Sequence, residues 1–356
     1  MFNFPFTARA LTQEVRKYPK RYGVVSGLNV MPLEPISSTF VQITEENGTL
    51  RVLPAQERGS PGSRPDRKRQ SLKIFQVPHF PVEDQILAKD LQDRMVVMNG
   101  QEVPANLTDE TAKRLAEIGR RHSITAEYLR MQALKGILKD GSGDVLTNLF
   151  DDFGVTQKVV DFKLGTDGTS IREKDEEVRA HVEDNLLGDS FESVEALVSP
   201  EFFDKLVKHP EVEKFYTSSP DVTQLRLLER YKFANITGRI FNPFGGVTYI
   251  EHRGSAPVGD ANERFVAAGE GHAYPVGTTN LFSTFAAPAD TLSEVNSLPT
   301  IMDMDLGDGG ERFALPIFIS PEPMKHGKGM ELFSEMNVLP FCKQPGAALI
   351  KLHTSN

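Results

Sequence analysis

The chain has 356 residues, enough for a sizeable core, and its length alone suggests two domains. A formal net charge of −9 argues against a protein whose main business is gripping a phosphate backbone; 39% hydrophobic and 25% charged residues make an ordinary, slightly lean globular composition. Trp is absent and Cys342 is the single cysteine, which excludes an intramolecular disulfide and four-cysteine metal sites and points to a reducing compartment.

The first ten residues, MFNFPFTARA, lack a basic flank and a long apolar run and do not read as a signal peptide. No stretch approaches the roughly 18 apolar residues of a spanning helix, so a soluble protein is expected. Residues 1–35 read as an arm with one helix-like run from Thr7 to Lys17. Between Phe40 and Val77 the alternation of Thr39/Val41/Ile43, Leu50/Val52 and Leu72/Ile74 predicts a long β-hairpin. Its tip, Pro54 to Gln70, carries Arg58, Arg64, Arg67, Lys68 and Arg69 and is too rich in Pro and Gly to belong to a compact core. Alone, such a tip is a solvated loop. No aromatic residue interleaves there, as single-strand binding would prefer. An isolated hairpin is marginal in water and needs something to lie against. Nothing in the flanking sequence looks set to cover it, and the natural candidate is another copy of the chain.

From Val82 the spacing of Leu87, Leu91, Met95 and Met98 predicts a helix, followed by a break over Gly100 to Asn106. Thr108 is an N-cap candidate with Asp109 and Glu110 in the first turn, opening the longest helical stretch, to about Lys139. Ala112, Leu115, Ile118, Leu129, Ala133 and Ile137 form its apolar side. His122-Ser123-Ile124-Thr125 is expected to bend or interrupt it, and Gly141-Ser142-Gly143 to end it. Strands are predicted at Val145–Phe150 and Lys158–Leu164, then an exposed charged helix over Arg172–Asp184. Ser199-Pro200-Glu201 opens a helix carrying Phe202, Phe203, Leu206 and Val207. A hairpin turns on Asn242 to Gly246, with Val247, Tyr249 and Ile250 on its return strand. The apolar, Gly-rich stretch Ala268–Ala287 and strand-like runs at Arg312–Ile319, Met330–Phe341 and Ala347–Leu352 complete an α+β fold, whose late strands are expected to return near the long helix.

No catalytic, cofactor-binding or metal-ligating constellation emerges. Asp152-Phe153-Gly154 spells the kinase magnesium triplet, but no phosphate-covering glycine loop, strand lysine or HRD segment precedes it. Asp303, Asp305 and Asp308 hint at a calcium loop, yet Gly307 and Asp308 reverse the required order and no Glu closes the loop. Eight scattered histidines show no i, i+4 pair and no HExxH. Cys342 sits in an apolar run and reads as a buried thiol.

The order of several segments carries a resemblance. VQITEENGTLRVLPAQERGSPG, RRHSITAEYLRMQALKG, DDFGVTQKVVDF, FNPFGGVTYIEHRG, GHAYPVGTTNLFSTFAAPADTLSEVNS and LFSEMNVLPFCKQPGAALIKL together resemble the major capsid proteins of tailed phages, in the lambda gpE-like group with the HK97-type fold. The resemblance implies a non-enzymatic α+β protein: an N-terminal arm (1–35), an extended loop over a neighbouring subunit (36–80), a peripheral domain with a spine helix (81–185), an axial domain (186–315) and C-terminal strands returning to the periphery (316–356). It further implies hexamers and pentamers in an icosahedral shell around double-stranded DNA. Decoration, scaffolding and portal proteins would be partners, with no cofactor and no membrane, and the virion capsid, assembled in host cytoplasm, would be its location.

A projecting hairpin and a receiving surface elsewhere make a heterologous contact, which propagates into rings and shells. Expected intersubunit residues are Leu50, Val52, Arg58, Arg64, Arg67, Lys68, Arg69, Leu72 and Ile74, with Glu173, Asp175, Glu176 and Glu177 as an acidic surface for the tip. Two other readings stay open: an encapsulin-type compartment, which shares the fold, and a nucleic-acid-binding protein using the Arg58–Lys73 cluster.

Overall fold

The structure is a computed structural model that describes residues 11–12, 14, 23–45, 71–92, 95–98, 101–104, 107–186, 189–218, 229–233, 236–291 and 316–355. It opens with a short helix α1 (Val24–Leu28) and strand β1 (Leu33–Pro35), then β2 (Phe40–Glu45) and β3 (Ser71–Gln76). These last two pair antiparallel with Val41 opposite Phe75 and Ile43 opposite Lys73, so the stem of the expected hairpin is present. Leu50, Val52 and the whole basic tip lie outside the described residues, as does most of the run from Thr7 to Lys17.

The helix expected from Val82 onward is not there. The chain forms β4 (Phe80–Leu87), a short α2 (Ala88–Gln92) and a hairpin of β5 (Met95–Met98) and β6 (Gln101–Pro104). Phe80, Val82 and Ile86 alternate with the exposed Pro81, Glu83 and Gln85, and a partner strand far along the chain pairs with the full length of β4. Sheet pairing overrides the helical spacing of Leu87 and Leu91.

The long helix α3 (Leu107–Lys135) runs without interruption through His122–Thr125. The Thr125 hydroxyl donates to the Arg121 carbonyl at 3.0 Å, the backbone bond through which a mid-helix threonine is tolerated. Residues 126–134 are buried all round, which an amphipathic stripe does not anticipate. The helix ends at Gly136, earlier than expected, and Gly141–Gly143 instead form the turn between β7 (Ile137–Lys139) and β8 (Val145–Asn148). Gly136 has φ of 83°, and a Cβ there would stand 2.3 Å from Cε2 of Phe150. Gly136→Ala is therefore expected to cost at least about 1–3 kcal/mol, read as a lowered denaturant midpoint. An unchanged midpoint would show that the turn and ring relax freely.

Helix α4 (Leu149–Phe153) follows, capped by the Asn148 side chain and ended by Gly154 in the left-handed region. The Asp152-Phe153-Gly154 triplet is thus a helix end. Next come β9 (Lys158–Asp161), shorter than expected, and α5 (Ile171–Asn185), the expected charged helix with Ile171, Val178 and Val182 facing inward. Strand β10 (Ser193–Val198) leads through the Ser199 N-cap into α6 (Pro200–Val207), then α7 (Pro210–Ser218). Then come β11 (Glu229–Phe233), β12 (Ile236–Phe241), β13 (Val247–Glu251), β14 (Ser255–Val258), β15 (Ala261–Arg264), β16 (Glu270–Val276) and β17 (Phe282–Ala286). After the break come β18 (Ile317–Pro323), β19 (Gly329–Met336), β20 (Val338–Cys342), α8 (Pro345–Ala348) and β21 (Ile350–His353).

Three larger sheets organise these strands. A seven-stranded sheet has the order β11-β12-β13-β10-β16-β21-β9. It takes β9 from before the expected boundary at 185 and β21 from after that at 315. Phe162, Phe202 and Tyr249 pack edge to face or stacked within its core, with centroids 5.4–6.3 Å apart. A sheet of β1-β17-β20 carries the chain start against its end. The third, β18-β19-β4, lays Ile86, Ile319, Met330 and Leu332 against Leu115, Ile118 and Leu129 of α3. Late strands thus return to the long helix, where His122 Nε2 lies 3.1 Å from Ser334 Oγ and burial pushes the imidazole down to about 4.

Candidate assembly surface

The hairpin stem has two chemically different faces because side chains alternate across a strand. On one face Val41, Ile43 and Phe75, with Val77 just beyond, are buried in the chain's own core. The Phe75 ring meets Phe341 edge-on at 4.7 Å and Phe153 at 6.1 Å. Lys73 reaches the same helix end: its Nζ lies 4.3 Å over the Phe153 ring and donates to the Asp152 carbonyl at 2.6 Å. This corrects the expectation that the cover comes from another copy of the chain, as far as the inner face is concerned: distant parts of the same chain supply it. The inner face of the hairpin is fastened to α4 and β20.

The outer face is different. Phe40, Leu72 and Ile74 remain 42%, 55% and 62% exposed, and the register places Ile74 opposite Gln42 and Leu72 opposite Thr44. Three apolar side chains therefore share one open face of a two-stranded ribbon. Such a run marks an interaction site more than a scatter of single apolar residues would. Phe40 was not among the expected contact residues. Antiparallel pairing with Gln76 puts it on the same face as Ile74 and Leu72, diagonal to Ile74, and only the register reveals that.

Helix α1 is fastened by a buried carboxylate. Glu127 on α3 accepts from the backbone amides of Val25 at 2.7 Å and Ser26 at 3.2 Å, and from the Ser26 hydroxyl at 2.8 Å. These are the free N–H groups of the first turn of α1. Arg130, one turn along α3, donates to the same Ser26 hydroxyl and is itself buried, with Glu127 supporting its charge.

The expected acidic surface on α5 is only partly available. Glu173 and Glu176 are exposed, but Glu177 accepts from Lys158 and Lys174, both at 2.9 Å. Asp175 is a correction: it is 2% exposed and faces inward, taking a hydrogen bond from the Tyr249 hydroxyl beneath Gly246. Its place in the helix turns it toward β13, so it offers no charge to a neighbour. Burial pushes the Asp175 carboxyl up to about 7. The folded state then holds a proton that the unfolded chain releases near pH 4, so stability falls as pH rises from about 4 to about 7. Asp175→Asn should flatten that decline, leaving the variant more stable than the parent at pH 8 relative to pH 5 in thermal melts. An equal shift at both pH values would contradict a neutral Asp175.

Other candidates resolve quietly. Cys342 is fully buried, and burial pushes its thiol up to about 12. Asp303, Asp305 and Asp308 lie outside the described residues.

The family model described as phage major capsid protein E matches residues 7–352. The major capsid protein of Pseudomonas phage KPP10 is 31% identical over 358 residues, covering 96% of this chain and 95% of that one. That of Salmonella phage Felix O1 (isolate Felix O1-VT1) is 25% identical over 359 residues, covering 94% and 93%. Among solved structures, a phage-related protein from Bordetella bronchiseptica RB50 superposes with a TM-score of 0.51 at 10% identity, covering 96% of this chain and 95% of that one. The fold is the α+β, HK97-like one that the resemblance implies, and the family model and the two curated relatives make the chain a shell-forming capsid subunit. It belongs to the phage major capsid protein E family. The encapsulin and nucleic-acid-binding readings are not favoured.

Proposed function

We propose that the chain assembles into hexamers and pentamers that close an icosahedral head around double-stranded DNA, with the outer face of the β2–β3 stem lying on the neighbouring subunit. The observation that carries this is the two-faced stem: Phe75 and Lys73 anchor one side in the chain's own core while Phe40, Leu72 and Ile74 stay open on the other. A projection anchored in its own chain and meeting a different surface on the next copy is a heterologous contact, and such contacts close into rings where the rotation between copies closes. Full burial of an apolar side chain contributes roughly 1.5–3 kcal/mol, more than the about 0–1 kcal/mol of an exposed ion pair at the tip.

In this reading residues 1–35 are the arm and 36–80 the extended loop. Residues 81–185 form the periphery around α3, 186–315 most of the axial domain, and 316–356 the returning strands. The net negative chain suits a container whose DNA must slide in and leave again. Decoration, scaffolding and portal proteins would complete the head in the host cytoplasm.

Reversing Arg64, Arg67, Lys68 and Arg69 to glutamate tests the tip. Circular dichroism should report a folded subunit and electron microscopy a loss of shells. Shells formed at the parental yield would contradict an intersubunit role for the tip.

A further inference from the structure

The seven-stranded sheet gathers titratable side chains on one of its two faces. Its register aligns Lys351, His272, Leu197 and Ile250 across β21, β16, β10 and β13. Two residues further along each strand, and so on the same face, come His353 opposite Glu270, and His252 just past β13. Tyr249, one residue before Ile250, points the other way, to Asp175 on α5. The polar face instead receives the C-terminal end of α3, which packs on β16.

The last residue of α3, Lys135, has a side chain only 18% exposed, with its Nζ 3.9 Å from Glu263 on β15. Lys351 pairs with Glu270 at 2.7 Å. Each lysine thus has a carboxylate, whereas among the described residues His252 and His272 pair with none. His252 accepts from the Gly254 amide through Nδ1 at 3.0 Å, which leaves its proton on Nε2. That Nε2 and both ring nitrogens of His272 are buried without a hydrogen-bond partner among the described residues. A second proton would set His252 Nδ1 donor to donor against Gly254. On His272 it would add a buried cation beside Lys135 and Lys351. Burial pushes His272 down to about 3, with both lysines adding to the effect. It pushes His252 down to about 4, with Lys135 adding.

We infer that this face is an acid-operated release: protonation of His252 and His272 frees the end of α3 from the seven-stranded sheet while the α5 side stays closed. The charged groups around the two rings are Lys135 from α3, Lys351 from β21, Glu263 from β15 and Glu270 from β16, with Lys139 of β7 near Lys135. Glu251 and Arg253 flank His252 in sequence but pair with each other at 2.7 Å, and His353 faces Asp161. An imidazole that is harder to protonate in the folded chain takes its proton on release. The stabilisation is therefore complete above the ordinary 6.5 and is lost as pH falls toward 4. Asp175 on the opposite face has the opposite sign, so acid loosens one side of the sheet and firms the other.

The test is hydrogen exchange by mass spectrometry on the full chain at pH 7 and pH 5, with labelling times scaled for intrinsic exchange. Amides of Tyr128–Lys139 should lose protection roughly tenfold or more at pH 5, while those of α5 hold theirs. Equal loss in α5, loss confined to β19, where the buried His122 meets Ser334, or no loss at all overturns the assignment. His272→Leu with His252→Asn, which keeps an acceptor for Gly254, should retain its protection at pH 5. A loss as large as the parent's in that variant also overturns it. Where the double variant does not fold, Lys135→Met decides. With one cation gone, its ratio of protection at pH 7 to that at pH 5 should be smaller than the parent's, and an unchanged ratio contradicts the release.

Discussion

Leu72→Asp and Ile74→Asp, introduced together, should give a folded subunit that no longer builds shells. Both side chains are more than half exposed on the outer face of the stem, so the isolated subunit loses little by the exchange. In an assembled shell the same positions are proposed to be covered. There the double variant forfeits roughly 3–6 kcal/mol of apolar burial per contact and forces two carboxylates out of water. Each 1.4 kcal/mol weakens a contact about tenfold, and a closed shell repeats the contact at every subunit. Sedimentation should show only small species, with the far-ultraviolet circular dichroism of the parent. Leu72→Ser with Ile74→Ser is the milder check and should reduce yield without abolishing it. Shells at the parental yield from the aspartate variant would mean that the outer face stays in solvent.

The second large effect is expected inside the subunit. Glu127→Ala removes the carboxylate that holds three donors of α1 and supports the buried Arg130. Breaking one partner from a buried charged network costs about 3–5 kcal/mol, because the remaining charge and N–H groups are left without partners. The melting temperature should fall on the order of 10 °C. Glu127→Gln keeps an acceptor and the shape but loses the charge beside Arg130, so an intermediate loss is expected. Limited proteolysis should cut the region around Val24–Leu28 faster in the alanine variant. Equal melting temperatures for parent and both variants would show that α1 is held by other contacts.

Local signals made much of this fold legible. The Ser199-Pro200 start of α6, the charged α5, the Asn242–Gly246 turn and the stem strands all depend on caps, turns and alternation within a few residues. The β4 strand was hidden because its partner β19 lies some 250 positions away. Pro81 and Asp84 also blur its alternation. Likewise, α3 continues through His122–Thr125 because burial against Ser334 and the surrounding core outweighs the weak helix preference of those residues.

The surface was harder to read than the fold. Leu72 and Ile74 were identifiable from alternation, whereas Phe40 needed the strand register. Asp175 looked like one more charge on an exposed helix, and only its facing Tyr249 shows that it points inward. Glu127 and Arg130 carried no distinguishing mark in a helix full of charged residues. Sequence spacing cannot reveal which of those charges the core closes over.

The central claim is that the outer face of the hairpin stem is a subunit contact. Electron cryomicroscopy of shells formed by the purified chain, at a resolution that shows side chains, tests it most directly. The account predicts Phe40, Leu72 and Ile74 packed against a neighbouring subunit, with the inner face still seated on Phe341 and Phe153. Closed shells in which those three side chains face solvent would contradict it.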